Sequence, residues 1–132
     1  MAELLVVDDD RDLAEVVAEL LQNHGHSVRV AHNGEEGLAR LEEWTPDLVV
    51  LDVDMPILRG PGMAMVMLLR NCGLELVPIV LVSGSVGLEA IAAEVGTPYS
   101  LAKPCSPGAL LSLVGRALRE GTPPTPLGLR WR

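Results

Sequence analysis

Positive charge is scarce in this sequence: 10 lysines and arginines stand against 18 aspartates and glutamates among 132 residues, a formal net charge of −8. Binding nucleic acid or an anionic membrane through bulk charge needs a positive surface, so direct nucleic-acid binding is not expected and cations or basic partner patches are. Cysteine is sparse as well. Cys72 and Cys105 form neither a CxxC pair nor a Cys/His metal spacing, which points to reduced thiols rather than a bridge. No run reaches the roughly 18 apolar residues of a membrane span, and Met-Ala-Glu-Leu-Leu offers no basic region ahead of the acidic Asp8-Asp9-Asp10. Export and membrane insertion are therefore not expected, and a cytoplasmic location is the default. The sequence has no internal repeat, and its length is that of one domain, with a hydrophobic content of 48% that suffices for one core.

What the sequence does contain is organised around Asp47-Leu48-Val49-Val50-Leu51-Asp52-Val53-Asp54-Met55-Pro56. An apolar run without polar alternation reads as a strand buried on both faces, as in a parallel sheet covered by helices. Asp52 falls where that strand emerges, and in open α/β sheets ligands collect at that edge.

Four further strand-then-helix units surround it. Glu3 to Val7 is a strand delivering Asp8, Asp9 and Asp10, and Asp10 or Asp12 can start the next helix, striped by Leu13, Val16, Val17, Leu20 and Leu21 and stopped at Gly25. Ser27 to Ala31 is the second strand; Asn33 with Glu36 resembles a capping box for a helix with Leu38, Leu41 and Trp44 inward, ending before Pro46. After the central strand, Pro61 suits a first turn and 63–70 reads as helix. Val77 to Val82 is the fourth strand, followed by Ser83-Gly84-Ser85 and a short helix marked by Leu88, Ile91, Ala92 and Val95. Tyr99 to Ala102 ends at Lys103-Pro104; Ser106-Pro107 then opens a last helix striped by Leu110, Leu113, Val114, Ala117 and Leu118. Regular alternation with short connections implies an α/β fold: a flavodoxin-like three-layer α/β/α sandwich with a five-stranded parallel sheet, (βα)5, over residues 1–120. Residues 121–132, rich in proline at the start, read as a linker or tail.

In a parallel sheet the carboxyl ends of the strands share one edge, so Asp8, Asp9, Asp52, Ser83 and Lys103 are expected to converge. Crowded carboxylates repel unless a cation sits among them. A hard divalent ion such as magnesium accepts an oxygen shell of this kind. A carboxylate nucleophile, a divalent ion, an ammonium and a hydroxyl together describe a phosphoryl-transfer site. Taken singly the pieces are plainer: Asp8 to Asp10 would be a charge run or a cap, Ser83-Gly84 a turn, Lys103 a surface lysine.

The ordered set resembles the response-regulator receiver domain of two-component signalling over roughly residues 3 to 120: Leu-Val-Val-Asp-Asp-Asp near the start, Asp-Leu-Val-Val-Leu-Asp-Val-Asp-Met-Pro in the middle, Ser83-Gly84, and Lys103-Pro104. The resemblance implies Asp52 as phosphoacceptor, Asp8 and Asp9 as the metal-binding acids, the backbone carbonyl of Asp54 as a further magnesium ligand, Ser83 as hydroxyl donor and Lys103 as the phosphate-binding lysine. It implies a sensor histidine kinase or phosphotransfer protein as donor, a phosphorelay switch as output, and no enzyme activity beyond self-phosphorylation and self-dephosphorylation. A cis Lys103–Pro104 bond is expected on the same ground. The sequence departs from the family at several points. Ser100 stands where the switch aromatic is usual, with Tyr99 facing the opposite side; Arg59 lies where Asp-Gly is frequent, Cys105 where Phe is common, and the span from Ser83 to Gly96 is short.

Two alternatives stay open. One is a pseudo-receiver, an interaction module without phosphorylation; the other is a haloacid-dehalogenase-like phosphatase, whose early motifs Asp52-x-Asp54, Ser83 and Lys103 imitate in order. The helix over 63–70, with Met63, Met65 and Met67, looks apolar on every face, and that of Leu88 to Val95 carries only Glu89 and Glu94 as charges, which suggests partner docking or a homodimer through one of them. His24 and His26 could chelate a metal, although His24 near a helix C-terminus has an electrostatic reason to be there.

Overall fold

Leu4 to Val7 and the runs like it become strands because β-branched and leucine side chains fill both sides of a covered sheet. The chain forms β1 (Glu3–Val7), α1 (Arg11–Gln22), β2 (Ser27–Ala31), α2 (Gly34–Glu43), β3 (Leu48–Asp52), β4 (Ile79–Ser83), α3 (Leu88–Val95), β5 (Tyr99–Ala102) and α4 (Pro107–Glu120). This computed structural model describes residues 2–52, 76–84 and 87–124. The helix expected over 63–70, Asp54, Arg59, Cys72 and residues 125–132 lie outside them.

All strands pair in parallel in the order β2-β1-β3-β4-β5. Every residue of β3 and β4 is buried, whereas β2, at an edge, is buried only at Ala31. Period-2 alternation sorts the central strands into two half-cores. Leu5, Val7, Val49, Leu51, Ile79 and Leu81 face α2 and α3, meeting Leu41, Leu88 and Val95. Leu4, Val6, Leu48, Val50, Val80 and Val82 face α1 and α4, meeting Ala14, Leu21, Leu110 and Val114. These are the three layers of a flavodoxin-like α/β fold, and no described helix is long and apolar enough to cross a membrane.

Local chemistry fixes the helix ends. Asp10, not Asp12, caps α1 by accepting from the Leu13 N–H at 3.1 Å. Asn33 accepts from the Glu36 N–H at 2.8 Å, and the Glu36 carboxylate reaches back one residue past the cap, to the His32 N–H at 2.9 Å. Ser106 caps α4 ahead of Pro107, and Gly121, at φ +65°, closes it. One part of the expected α1 stripe is corrected: Val16 is 61% exposed, and Ala14 and Ala18 take the inward positions. Alanines let the helix lie close to the sheet, which rotates the buried stripe off Val16.

The span after β4 is short, as read from the sequence: α3 has eight residues between Gly87 and Gly96, both at positive φ. Its large apolar side chains point inward, and its exposed positions include Glu89, Ala90 and Ala93. This helix therefore presents alanine, not large apolar groups, to a partner. At the β2 edge the Arg29 guanidinium lies 4.4 Å from the centre of the Trp44 ring. At the other edge Tyr99 is fully buried on the α4 side, its hydroxyl donating to Glu120 Oε1 at 3.0 Å and accepting from the Thr122 N–H at 3.3 Å.

Candidate functional site

The strand order places β1 beside β3, the point where the connections reverse direction across the sheet, and their carboxyl ends flank a crevice there. Asp52 is the last residue of β3, two residues beyond Val50, so it continues the Leu48–Val50 file on the α1/α4 side. Asp8 follows β1 and continues the Leu4–Val6 file in the same way. Parallel register sets Val6 beside Val50, and the two carboxylates therefore emerge as neighbours.

Both are nearly enclosed, Asp8 at 6% and Asp52 at 4% exposure, and Ser83 is fully buried. Asp9 is exposed beside them, and one carboxylate oxygen each from Asp8, Asp9 and Asp52 lies within 4.8 Å of the others. Lys103 reaches in from the end of β5, with Nζ 3.3 Å from Asp52 Oδ2 and 3.9 Å from Asp8 Oδ2. Its backbone N–H donates to the Ser83 carbonyl at 2.8 Å, which joins the ends of β4 and β5. The Lys103–Pro104 peptide is cis, as expected from the sequence.

Burial pushes the Asp8 carboxyl up from 3.8 to about 7, and a hydrogen bond with Asp52 and that residue's charge push the same way. The Asp10 N–H, donating to Asp8 Oδ1 at 3.0 Å, and the Lys103 ammonium act against the rise. Among the described residues Asp8, Asp9 and Asp52 form an all-oxygen donor set beside the Lys103 ammonium, and this fits a hard divalent cation.

Five residues singled out in the sequence, Asp8, Asp9, Asp52, Ser83 and Lys103, thus lie at one sheet edge, Ser83 tied to Lys103 through the backbone; Asp54 is outside the described residues. His24 and His26 have local partners instead: His24 Nδ1 lies 3.0 Å from the Leu20 carbonyl, and His26 Nδ1 accepts from the Ala2 N–H at 3.3 Å. Sequence reasoning overlooked the Asp10 N–H as the group that holds Asp8. The signal was present in the acidic triplet, where a carboxylate two residues before a helix cap can accept from it. Tyr99 and Ser100 occupy opposite faces of β5 as expected, and Ser100 lines a cavity of about 410 Å³ with Gly87, Leu88, Glu89 and Ala102.

Comparison with known proteins gives a consistent picture. The profile described as "Response regulator receiver domain" matches residues 4–115. Protein Rrf1 of Nitratidesulfovibrio vulgaris is 37% identical over 130 residues, covering 95% of this chain and 91% of that protein. Response regulator MprA of Mycolicibacterium vanbaalenii is 37% identical over 121 residues, 91% of this chain but 52% of that protein. The chain therefore spans about half the length of MprA-type relatives. Among solved structures, a CheY-like receiver domain protein from Methanospirillum hungatei superposes with a TM-score of 0.82 at 25% identity, covering 92% of this chain and 96% of that one. CheY4 of Vibrio cholerae gives 0.81 at 29% identity, covering 88% and 98%.

Proposed function

The chain belongs to the response regulator receiver domain family of two-component signalling, and from that premise we propose that Asp52 accepts a phosphoryl group from a sensor histidine kinase or phosphotransfer protein. The observation that carries the reading is the enclosed carboxylate of Asp52 with the Lys103 ammonium at 3.3 Å. The phosphatase alternative lapses with this membership.

In the transfer, the N–P bond of a phosphohistidine protonated at its other ring nitrogen breaks as a bond forms between an Asp52 carboxylate oxygen and phosphorus, leaving an aspartyl phosphate and a neutral imidazole that keeps that proton. Lys103 and Ser83 hold the peripheral phosphoryl oxygens, whose charge is spread in the transition state. Asp8, Asp9 and Asp52, with the backbone carbonyl of Asp54, would hold magnesium, which when bound would supply positive charge to offset that of the incoming phosphoryl group. Asp8 must give up its proton for that role, and the Asp10 N–H keeps the carboxylate oriented. Because Lys103 and Ser83 are joined through the backbone, drawing both toward Asp52 biases the packing of β4, β5 and α3 and so the affinity for partners. Residues 1–120 form the switching unit and 121–132 its tail. The domain acts as a signalling switch, with self-phosphorylation and self-dephosphorylation as its only chemistry.

A pseudo-receiver is the second reading, favoured by Ser100 at an open cavity where an aromatic side chain would be expected. Labelling with a small acyl phosphate separates the two. Wild type should be labelled only with magnesium, and Asp52→Asn not at all. Equal labelling of both, or full labelling in chelator, would leave only the interaction module.

A further inference from the structure

Below the carboxylates a half-open pocket of about 370 Å³ enters the α1/α4 half-core, lined by Val6, Val50 and Val82 from the sheet, Leu13 and Val17 from α1 and Leu110 from α4. The sequence contains no phenylalanine at all, and Cys105 lines the pocket at the position after Lys103-Pro104. A short side chain at that position leaves room for a ring beside the valines.

The two ends of the pocket differ in chemistry. Its walls are valine and leucine, so its body is apolar. Asp8 and Asp52 line its upper end, because each continues the file of Val6 or Val50 two residues further along its strand, about 7 Å up. Lys103 is there too, 3.3 Å from Asp52 and 3.9 Å from Asp8, and among the described residues the carboxylates of Asp8, Asp9 and Asp52 outnumber it, a balance that favours a cation over an anion. Pockets of about 300–1,000 Å³ with apolar walls and a few convergent polar groups are the usual form of small-molecule sites.

We propose that this pocket binds a small aromatic primary amine, its ring among Val6, Val50, Val82 and Leu110 and its ammonium at Asp8 and Asp52. The bound amine and a divalent cation then exclude each other, since both need the same carboxylate oxygens. Occupancy would hold the domain in a form that cannot take up the ion. The site needs no phosphodonor, so it stands or falls separately from the phosphoryl-transfer reading.

The experiment uses 2-phenylethylamine, titrated into the full chain without magnesium and followed by backbone and methyl NMR. Saturable shifts are expected at Val6, Val50, Val82 and Leu110. The neutral 2-phenylethanol should bind about tenfold more weakly, a difference of about 1.4 kcal/mol, and phenylacetate more weakly still. Saturating magnesium should weaken amine binding to the wild type, a test that requires no variant. Cys105→Phe fills the pocket and should abolish the titration, and Cys105→Leu should weaken it. No saturable shifts at those four residues, alcohol or phenylacetate binding as tightly as the amine, indifference to magnesium, or unchanged affinity in folded Cys105→Phe would each overturn the proposal.

Discussion

Lys103 Nζ lies closer to Asp52 Oδ2, at 3.3 Å, than to Asp8 Oδ2, at 3.9 Å, so this ammonium is committed first to the proposed acceptor. A cation placed there before reaction lowers the cost of bringing an anionic phosphoryl group to an enclosed carboxylate. Lys103→Ala should slow labelling by a small acyl phosphate on the order of 10²-fold, the scale seen when one transition-state donor is removed. Asp9→Ala should slow it as well, and raising the magnesium concentration should recover part of the loss in Asp9→Ala but not in Lys103→Ala. Labelling rates measured across a magnesium series check both.

The raised Asp8 carboxyl gives the domain a pH dependence of definite sign. Its pKa in the folded chain is about 7 against 3.8 ordinarily, so between these values the folded state binds a proton that the unfolded chain releases. The resulting stability is fully present below about pH 4 and is lost as pH rises through 7. Without metal, the part of the denaturation midpoint that disappears in Asp8→Asn should fall between pH 5 and 8. Magnesium bound at Asp8 as proposed would displace the same proton, so its affinity is expected to rise by up to about tenfold per pH unit below 7 and level off above. Isothermal titration at three pH values checks the second point.

Val16 is 61% exposed on the helix that starts beside the acids, a position that would suit contact with the proposed phosphodonor protein. Val16→Glu should slow phosphotransfer from a cognate kinase several-fold while leaving labelling by a small acyl phosphate unchanged. Equal effects on both donors would show that the substitution acts on the fold instead.

Tyr99→Phe removes a buried hydroxyl that serves both Glu120 and the Thr122 N–H. The cost should be about 1 kcal/mol in denaturant unfolding. Faster hydrogen exchange at the Thr122 amide should accompany it, because that amide loses its hydrogen bond to β5.

The strands and the acids at their ends were legible because a parallel sheet leaves a simple trace: uninterrupted Leu/Val runs, each ending on a polar residue, and a topology that gathers those residues at one edge. Asp52, Asp8, Ser83 and Lys103 needed only that rule to be brought together. The α1 stripe was less legible. Hydrophobicity alone ranks Val16 above Ala14 and Ala18, but the separation of helix and sheet decides which residue is buried, and alanine suits a close approach. Thr97 went unnoticed for a related reason. Its hydroxyl donates to the Ile79 carbonyl at 2.6 Å and accepts from the Tyr99 N–H at 3.2 Å, pinning the entry to β5, yet in the sequence it is one threonine before a proline. The pocket under the carboxylates could not be read either, since a pocket is a property of what several distant segments fail to fill.

Arg29 lies at the middle of an edge strand. Among the described residues β2 has a strand neighbour on one side only, and an edge of that kind offers backbone groups that another chain's strand could match. Ser-Val-Arg-Val-Ala is, but for that arginine, an uncharged stretch rich in β-branched residues, the composition from which lateral stacking grows. The Arg29 guanidinium is held over the Trp44 ring on the α2 face of the sheet. An edge strand that carries a charge is a poor template for the strand of a second copy, and Arg29 gives β2 that charge.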